Sequence, residues 1–383
     1  MPAKRYLLTP GPTPVPPQVL AAAAAPMIHH RGPDFRSLLE RTNRRLQQVF
    51  RTENDVLLFT ASGTGAFESA VANLLSPGDR VLAVSQGEFG ERWANLAAVY
   101  GADVTPLALA WGESPTADRL SRALEEHAVE VVFLVHSETS SGVVADVESL
   151  ARVAKAAGAL VVVDAVSSLG AVPLETDAWG LDVVVSGSQK ALMSPPGLAF
   201  ASVSPAAWER CERTTSPRFY FDWRRYRTSF ETLGTPFTPA VATVAGLDVA
   251  LGLILDGGLE NAFAHHAALG RACREGFKAM GLELFSPDDD RSAVVTAVLT
   301  PDGADAKKLA LALRDRFGIT IAGGHGDLAT KLFRIGHVGW FDVFDITTAL
   351  AAVELVLTDM GAAIVSGVAV TRATEAYAEA LRT

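Results

Sequence analysis

Cysteine is nearly absent: the 383 residues contain 2, Cys211 and Cys273, in neither CxxC nor metal-ligand spacing. That pattern excludes a disulfide framework or cysteine metal site and points to a reducing, cytoplasmic setting. Excess positive charge is also missing. Lys and Arg number 33 against 43 Asp and Glu, a formal net charge of −10, so non-specific nucleic-acid binding is not expected. No apolar run approaches the ~18 residues of a membrane span. The opening Met-Pro-Ala-Lys-Arg-Tyr lacks the apolar core of a signal peptide. Internal repeats are absent, and the only low-complexity tract is Ala21–Ala25.

What is present is a globular composition, 49% hydrophobic and 20% charged, long enough for a large domain and a smaller one. A proline-rich segment, "LLTPGPTPVPPQVL", leads into a helical pattern from Asp34. Strands and helices then alternate. "DVLLFT" (55–60), "DRVLAVSQG" (79–87), "VEVVFLVHSE" (129–138), "GALVVVDAVSS" (158–168) and "LDVVVSGSQ" (181–189) read as strands, several apolar on both faces. Helical patterns such as "GAFESAVANLL" and "DVESLARVAKAAG" separate them, which implies a parallel sheet covered on both sides. "LAFASVS" (198–204) reads as an antiparallel partner after a Pro-Pro-Gly turn. From about 240 the pattern changes to one or two long helices, then further strands and helices. The expected organisation is an N-terminal extended segment over 1–20 that packs on the active site, a large α/β domain over 21–255 and a small α+β domain over 256–383.

Ligands of such sheets bind at the carboxyl ends of the strands, so the polar residues there are the candidates. Ser62-Gly63-Thr64-Gly65 opens a helix and offers free amides and a positive dipole end to an anion. It is neither a Walker A loop nor GxGxxG, since Glu68 stands where the third glycine would fall. Alone it reads equally as a helix cap. Asp164, ending "ALVVVD", is a carboxylate behind apolar residues and needs a partner there; a cap or a metal ligand are its other readings. The hydroxyls and amides at the other strand ends make a poor metal shell, and no metal is expected. Lys190, in "VVVSGSQK", is a solvated lysine on the ordinary reading. Partial burial would instead favour its neutral amine, which imine formation needs. The three together match a pyridoxal phosphate site: a helix start for the phosphate, a carboxylate for the ring nitrogen and an amine for the Schiff base.

The motifs "SGTGAFESA", "HSETSSGV", "VVVDAVSSLGA", "SGSQKALMSPPG" and "FRIGHVG" resemble, in order, those of the class V, fold-type I aminotransferases, closest to the alanine–glyoxylate and serine–glyoxylate (serine–pyruvate) group. The resemblance spans nearly the whole chain. It implies a large domain with a mostly parallel seven-stranded sheet, a smaller C-terminal α+β domain, pyridoxal 5′-phosphate as cofactor, and a homodimer with shared active sites. By the same resemblance Lys190 carries the cofactor and Asp164 pairs with its ring nitrogen. Ser62, Gly63, Thr64 and Gln189 hold the phosphate. Phe89 stacks on one ring face, Val166 packs on the other and Thr139 lies near the ring hydroxyl. Arg334 binds the substrate carboxylate. "GTPFTPA" departs from the family's tyrosine-containing stretch, leaving Thr235 and Thr238 to reach the neighbouring subunit's phosphate, and Thr64 stands where some relatives carry histidine. The implied reaction is a ping-pong transfer of an amino group from alanine, serine or aspartate to glyoxylate or pyruvate. The alternatives are another class V cofactor enzyme, such as a lyase, or a non-catalytic binder of the same fold. The arginines of "RFYFDWRRYR" (218–227) are expected near the entrance, attracting carboxylates.

Overall fold

The computed structural model describes residues 4–287 and 292–382. Its frame is a sheet of seven strands in the order Asp55–Thr60, Leu198–Val203, Val183–Gly187, Leu160–Asp164, Val131–Val135, Arg80–Ser85 and Asp103–Ala108. Leu198–Val203 runs antiparallel to both its neighbours, so Asp55–Thr60 points the same way as the other five strands. Six carboxyl ends therefore open on one edge.

Val131–Val135 and Val183–Gly187 are buried along their whole length. Helices cover both faces, which is why these strands carry no polar alternation. One face packs on the helices Pro33–Phe50, Val147–Ala156 and Val241–Gly257. The other packs on Gly63–Leu74 and Glu88–Val99. In that second layer Phe67, Trp93 and Phe133 stack as a column, with ring centroids 4.3 and 4.6 Å apart. The strand Asp103–Ala108 and the helices Ala117–Glu126 and Ala369–Ala380 were not legible in the pattern. The strand is an edge strand with Pro106 in it and no buried residue, so it lacks the apolar run that marks its neighbours.

The apolar stretch after residue 240 forms two helices, Val241–Gly257 and Leu259–Ala279, which meet at an 89° bend. Gly258, at φ 85°, makes the bend possible. Among the described residues no single helix is long and apolar enough to cross a membrane. Beyond the bend, an antiparallel sheet of Val295–Leu299, Leu332–Gly336 and Ala322–Gly323 shares a core with four helices.

The N-terminal segment ties the two regions together. Tyr6–Leu7 pairs in parallel with Ile319–Thr320, and Leu8 is buried in the C-terminal core. A few residues later the Thr13 N–H donates to the Gln189 carbonyl at 3.1 Å, and its hydroxyl donates to the Lys190 carbonyl at 3.1 Å.

Candidate active site

At the carboxyl edge the chain leaves Thr60 and enters the helix Gly63–Leu74 through Ser62, whose backbone is extended and whose side chain makes no capping bond. The Gly65 N–H donates to the Ser62 carbonyl at 2.8 Å, and the Gly63 and Thr64 amides at the helix start are left for a ligand. A side chain at 63 would bring its Cβ to 2.8 Å from Val166 Cγ2, so only glycine lets the helix start lie against that residue. This turn lines a cavity of about 290 Å³ together with Phe89, Arg92, Asp164, Val166, Gln189 and Lys190. The buried Gln189 Oε1 has no hydrogen-bond partner among the described residues, a group that awaits one.

Lys190 is buried, and its Nζ donates to Ser167 Oγ at 3.2 Å. Burial pushes its ammonium down to about 8; Asp164 opposes that fall, and Arg334 adds to it. The turn behind it is fastened to the strand end. Ser188 Oγ donates to the Pro195 carbonyl at 2.7 Å, and the Ser194 N–H donates to the Ser188 carbonyl at 3.1 Å. In front, Gly11 lies flat on the lysine stem, where a Cβ would overlap Cε and stand 2.8 Å from Cδ.

Asp164 ends the neighbouring strand. Its Oδ1 accepts the Val166 N–H at 2.8 Å, its one hydrogen bond among the described residues. Burial raises its carboxyl to about 7 against that bond, with Glu138 adding to the rise and Lys190 opposing it. A buried carboxyl in this condition is stabilised as the anion by any cation that arrives beside it. A protonated pyridine nitrogen is such a cation. The uncapped helix start, the free carboxyl oxygen and the amine whose pKa burial lowers to about 8 therefore fit pyridoxal phosphate.

Arg334, on Leu332–Gly336, is buried and held by three acceptors: Gly323 O at 2.9 Å, Thr139 O at 2.6 Å and His325 Nε2 at 3.0 Å. Because a guanidinium only donates, His325 is neutral and carries its proton on Nδ1. Burial and the Arg334 charge both hold the His325 pKa down. Burial brings Arg334 to about 10, so it remains a cation at neutral pH. Three of its five N–H groups are engaged, which leaves two for a carboxylate.

Thr235 and Thr238 do not line this cavity. The Thr235 hydroxyl donates to the Phe237 carbonyl, and Thr238 borders a separate surface groove beside His29 and His30. The arginines at 218, 224 and 225 converge on Asp222, and Arg227 pairs with Asp55, so two carboxylates offset part of the charge of the four.

Two charged residues received no role from the sequence. Glu138, fully buried, accepts from the N–H groups of Phe89 and Gly90 and from the N–H and Oγ of Ser140. It thereby fixes the start of the helix that carries Phe89. Arg92 lines the cavity, donates to Thr64 Oγ1 at 3.2 Å and lies 4.7 Å from the Phe89 ring centroid. Arg92 has no local sequence signal, and the strand-end position of Glu138 does not show what it binds, because each acts across the fold.

The family model described as aminotransferase class-V matches residues 5–338. The soluble hydrogenase 42 kDa subunit of Anabaena cylindrica is 42% identical, covering 94% of each chain. The L-aspartate–glyoxylate aminotransferase of Paracoccus denitrificans is 37% identical over 98% of this chain and 97% of its own. The solved alanine–glyoxylate aminotransferase of Nostoc sp. superposes with a TM-score of 0.89 at 34% identity, covering 93% of this chain and 96% of that one.

Proposed function

The chain belongs to the class-V aminotransferase family, and on that premise we propose that it moves the amino group of alanine, serine or aspartate to glyoxylate or pyruvate with pyridoxal phosphate as cofactor. The observation that carries this reading is one cavity lined by the Lys190 amine, the Asp164 carboxyl and the Ser62–Thr64 helix start. The names of the aspartate–glyoxylate and alanine–glyoxylate relatives support the substrate class. Both thiols, Cys211 and Cys273, are buried, and neither lines this cavity.

When bound, the cofactor supplies an aldehyde for an amine and a ring that takes up electrons from the substrate's α-carbon. Ser62, Gly63, Thr64 and Gln189 hold its phosphate end. Asp164 keeps a proton on the ring nitrogen, and Phe89 and Val166 confine the ring between them. Arg334 fixes the substrate carboxylate through its two free N–H groups and so aims the Cα–H bond at Lys190. Lys190 Nζ, neutral in part near pH 8, takes that proton and returns it. Donor and acceptor use the same cavity in turn, the ping-pong order. Thr235 and Thr238 of a second copy, at the interface of a homodimer in the cytoplasm, complete the proposal.

The test is a half-reaction panel. Holoenzyme is mixed with single amino acids, and the visible band of the bound cofactor is followed. Loss of that band with alanine, serine or aspartate, with release of the matching 2-oxo acid, is expected. A band that no amino acid changes would overturn the reading.

A further inference from the structure

We propose that Arg92 is the counter-charge for the phosphate end of the bound cofactor, a role that rests on the cofactor reading above. The residues assigned to the cradle, Ser62, Gly63, Thr64 and Gln189, are all uncharged. A helix start supplies only about half an elementary charge, whereas a phosphate monoester carries close to two. Among the described residues that line the cavity, the cations are Lys190 and Arg92. Lys190 is committed to the aldehyde carbon, where Schiff-base formation uses its nitrogen. Arg92 is the remaining one.

Its geometry suits the task. Phe89 and Arg92 stand three apart on the helix Glu88–Val99, so they share a face. The guanidinium lies 4.7 Å from the Phe89 ring centroid, a contact that orients its plane. Nη1 donates to Thr64 Oγ1 at 3.2 Å, on the turn that opens the cradle helix. With its oxygen accepting from Arg92, the Thr64 hydroxyl keeps its own hydrogen to donate to a ligand. The competing carboxylate is Glu88, 3.7 Å from Nη2, where both side chains are more than a third exposed. An exposed pair of that length holds Arg92 weakly. A phosphate dianion offers a charge-assisted, bidentate partner in its place.

The experiment compares two probes, pyridoxal 5′-phosphate and pyridoxal, which lacks the phosphate. Each is titrated into apo wild type, R92Q and R92K, with the visible band and intrinsic tryptophan fluorescence as readouts and circular dichroism confirming the fold. R92Q is expected to weaken pyridoxal 5′-phosphate by roughly 10-fold or more and to leave pyridoxal within about twofold. R92K, which keeps the charge but loses the fork, should fall between. An equal loss for both probes, no loss for either, or a loss in R92K as large as in R92Q would overturn the assignment. Wild type that forms no visible adduct with either probe would instead sink the cofactor reading itself, so the two failures are distinct.

Discussion

Arg334 Nη1 donates to the carbonyl oxygen of Thr139 at 2.6 Å, across 195 residues of sequence. A strand of the C-terminal sheet is thereby fastened to the turn that follows the Val131–Val135 strand of the large sheet. Glu138, one residue before Thr139, holds the start of the Phe89 helix. The candidate carboxylate fork and the candidate ring-stacking residue are thus referred to one turn.

R334K should keep a cation but lose the planar fork that serves Gly323, Thr139, His325 and a substrate at once. We expect KM for the amino donor to rise about 10- to 100-fold, a cost of roughly 1.4–2.8 kcal/mol, with a smaller change in kcat. Steady-state kinetics would decide it. An unchanged KM would remove Arg334 from substrate binding.

Burial pushes the Lys190 ammonium from the ordinary lysine value of 10.5 down to about 8. Its amine is therefore mostly protonated at pH 6 and mostly neutral above pH 9. Covalent loading of apoprotein by pyridoxal phosphate should speed up about tenfold per unit towards pH 8 and level off above it. Asp164 holds that pKa up, so D164N should move the plateau to lower pH. Stopped-flow absorbance tests both signs. Borohydride should fix the cofactor to wild type by intact mass and fail with K190A; a K190A that still transaminates at the parent rate would refute the assignment.

Gly11 at φ +150° packs on the Lys190 stem. G11A should slow loading and transamination, because the added methyl would occupy space held by Cε. Gly257, whose Cβ would meet nothing within 4 Å, is the control. G257A should behave as wild type. Equal behaviour of the two variants would show that the N-terminal segment does not brace the lysine.

E138A would strand the N–H groups of Phe89, Gly90 and Ser140. Each buried donor left without an acceptor costs about 1–3 kcal/mol. The melting temperature should fall, and the bound cofactor's circular dichroism should change as Phe89 loses its anchor. E138Q retains one carbonyl oxygen and should lie between wild type and E138A. A stable E138A with an unaltered cofactor signal would count against the positioning role.

The sheet was readable wherever a strand is buried on both faces, as at "VVFLV" and "VVVSG", because burial demands an unbroken apolar run. It was unreadable at Asp103–Ala108, where the edge position lifts that demand. Lys190, Asp164 and Ser62 were legible because strand ends of a parallel sheet share one edge whatever else the chain does. Arg92 and Glu138 were not. Their partners lie 28 residues away at Thr64 and 49 away at Phe89, and nothing local shows which groups they bind.

By itself the sequence determined the parallel sheet, the antiparallel strand after the Pro-Pro-Gly turn, and which polar residues end the strands. Those follow from periodicity and burial, which act over a few residues. Tertiary structure decided the protonation leanings of Lys190 and Asp164, since these depend on how completely water is excluded around each. It also decided that Gly11 lies on the lysine and that the arginines following Phe219 pair with Asp222 and Asp55. Charge pairing is a matter of distance in space, and only the folded chain sets that distance.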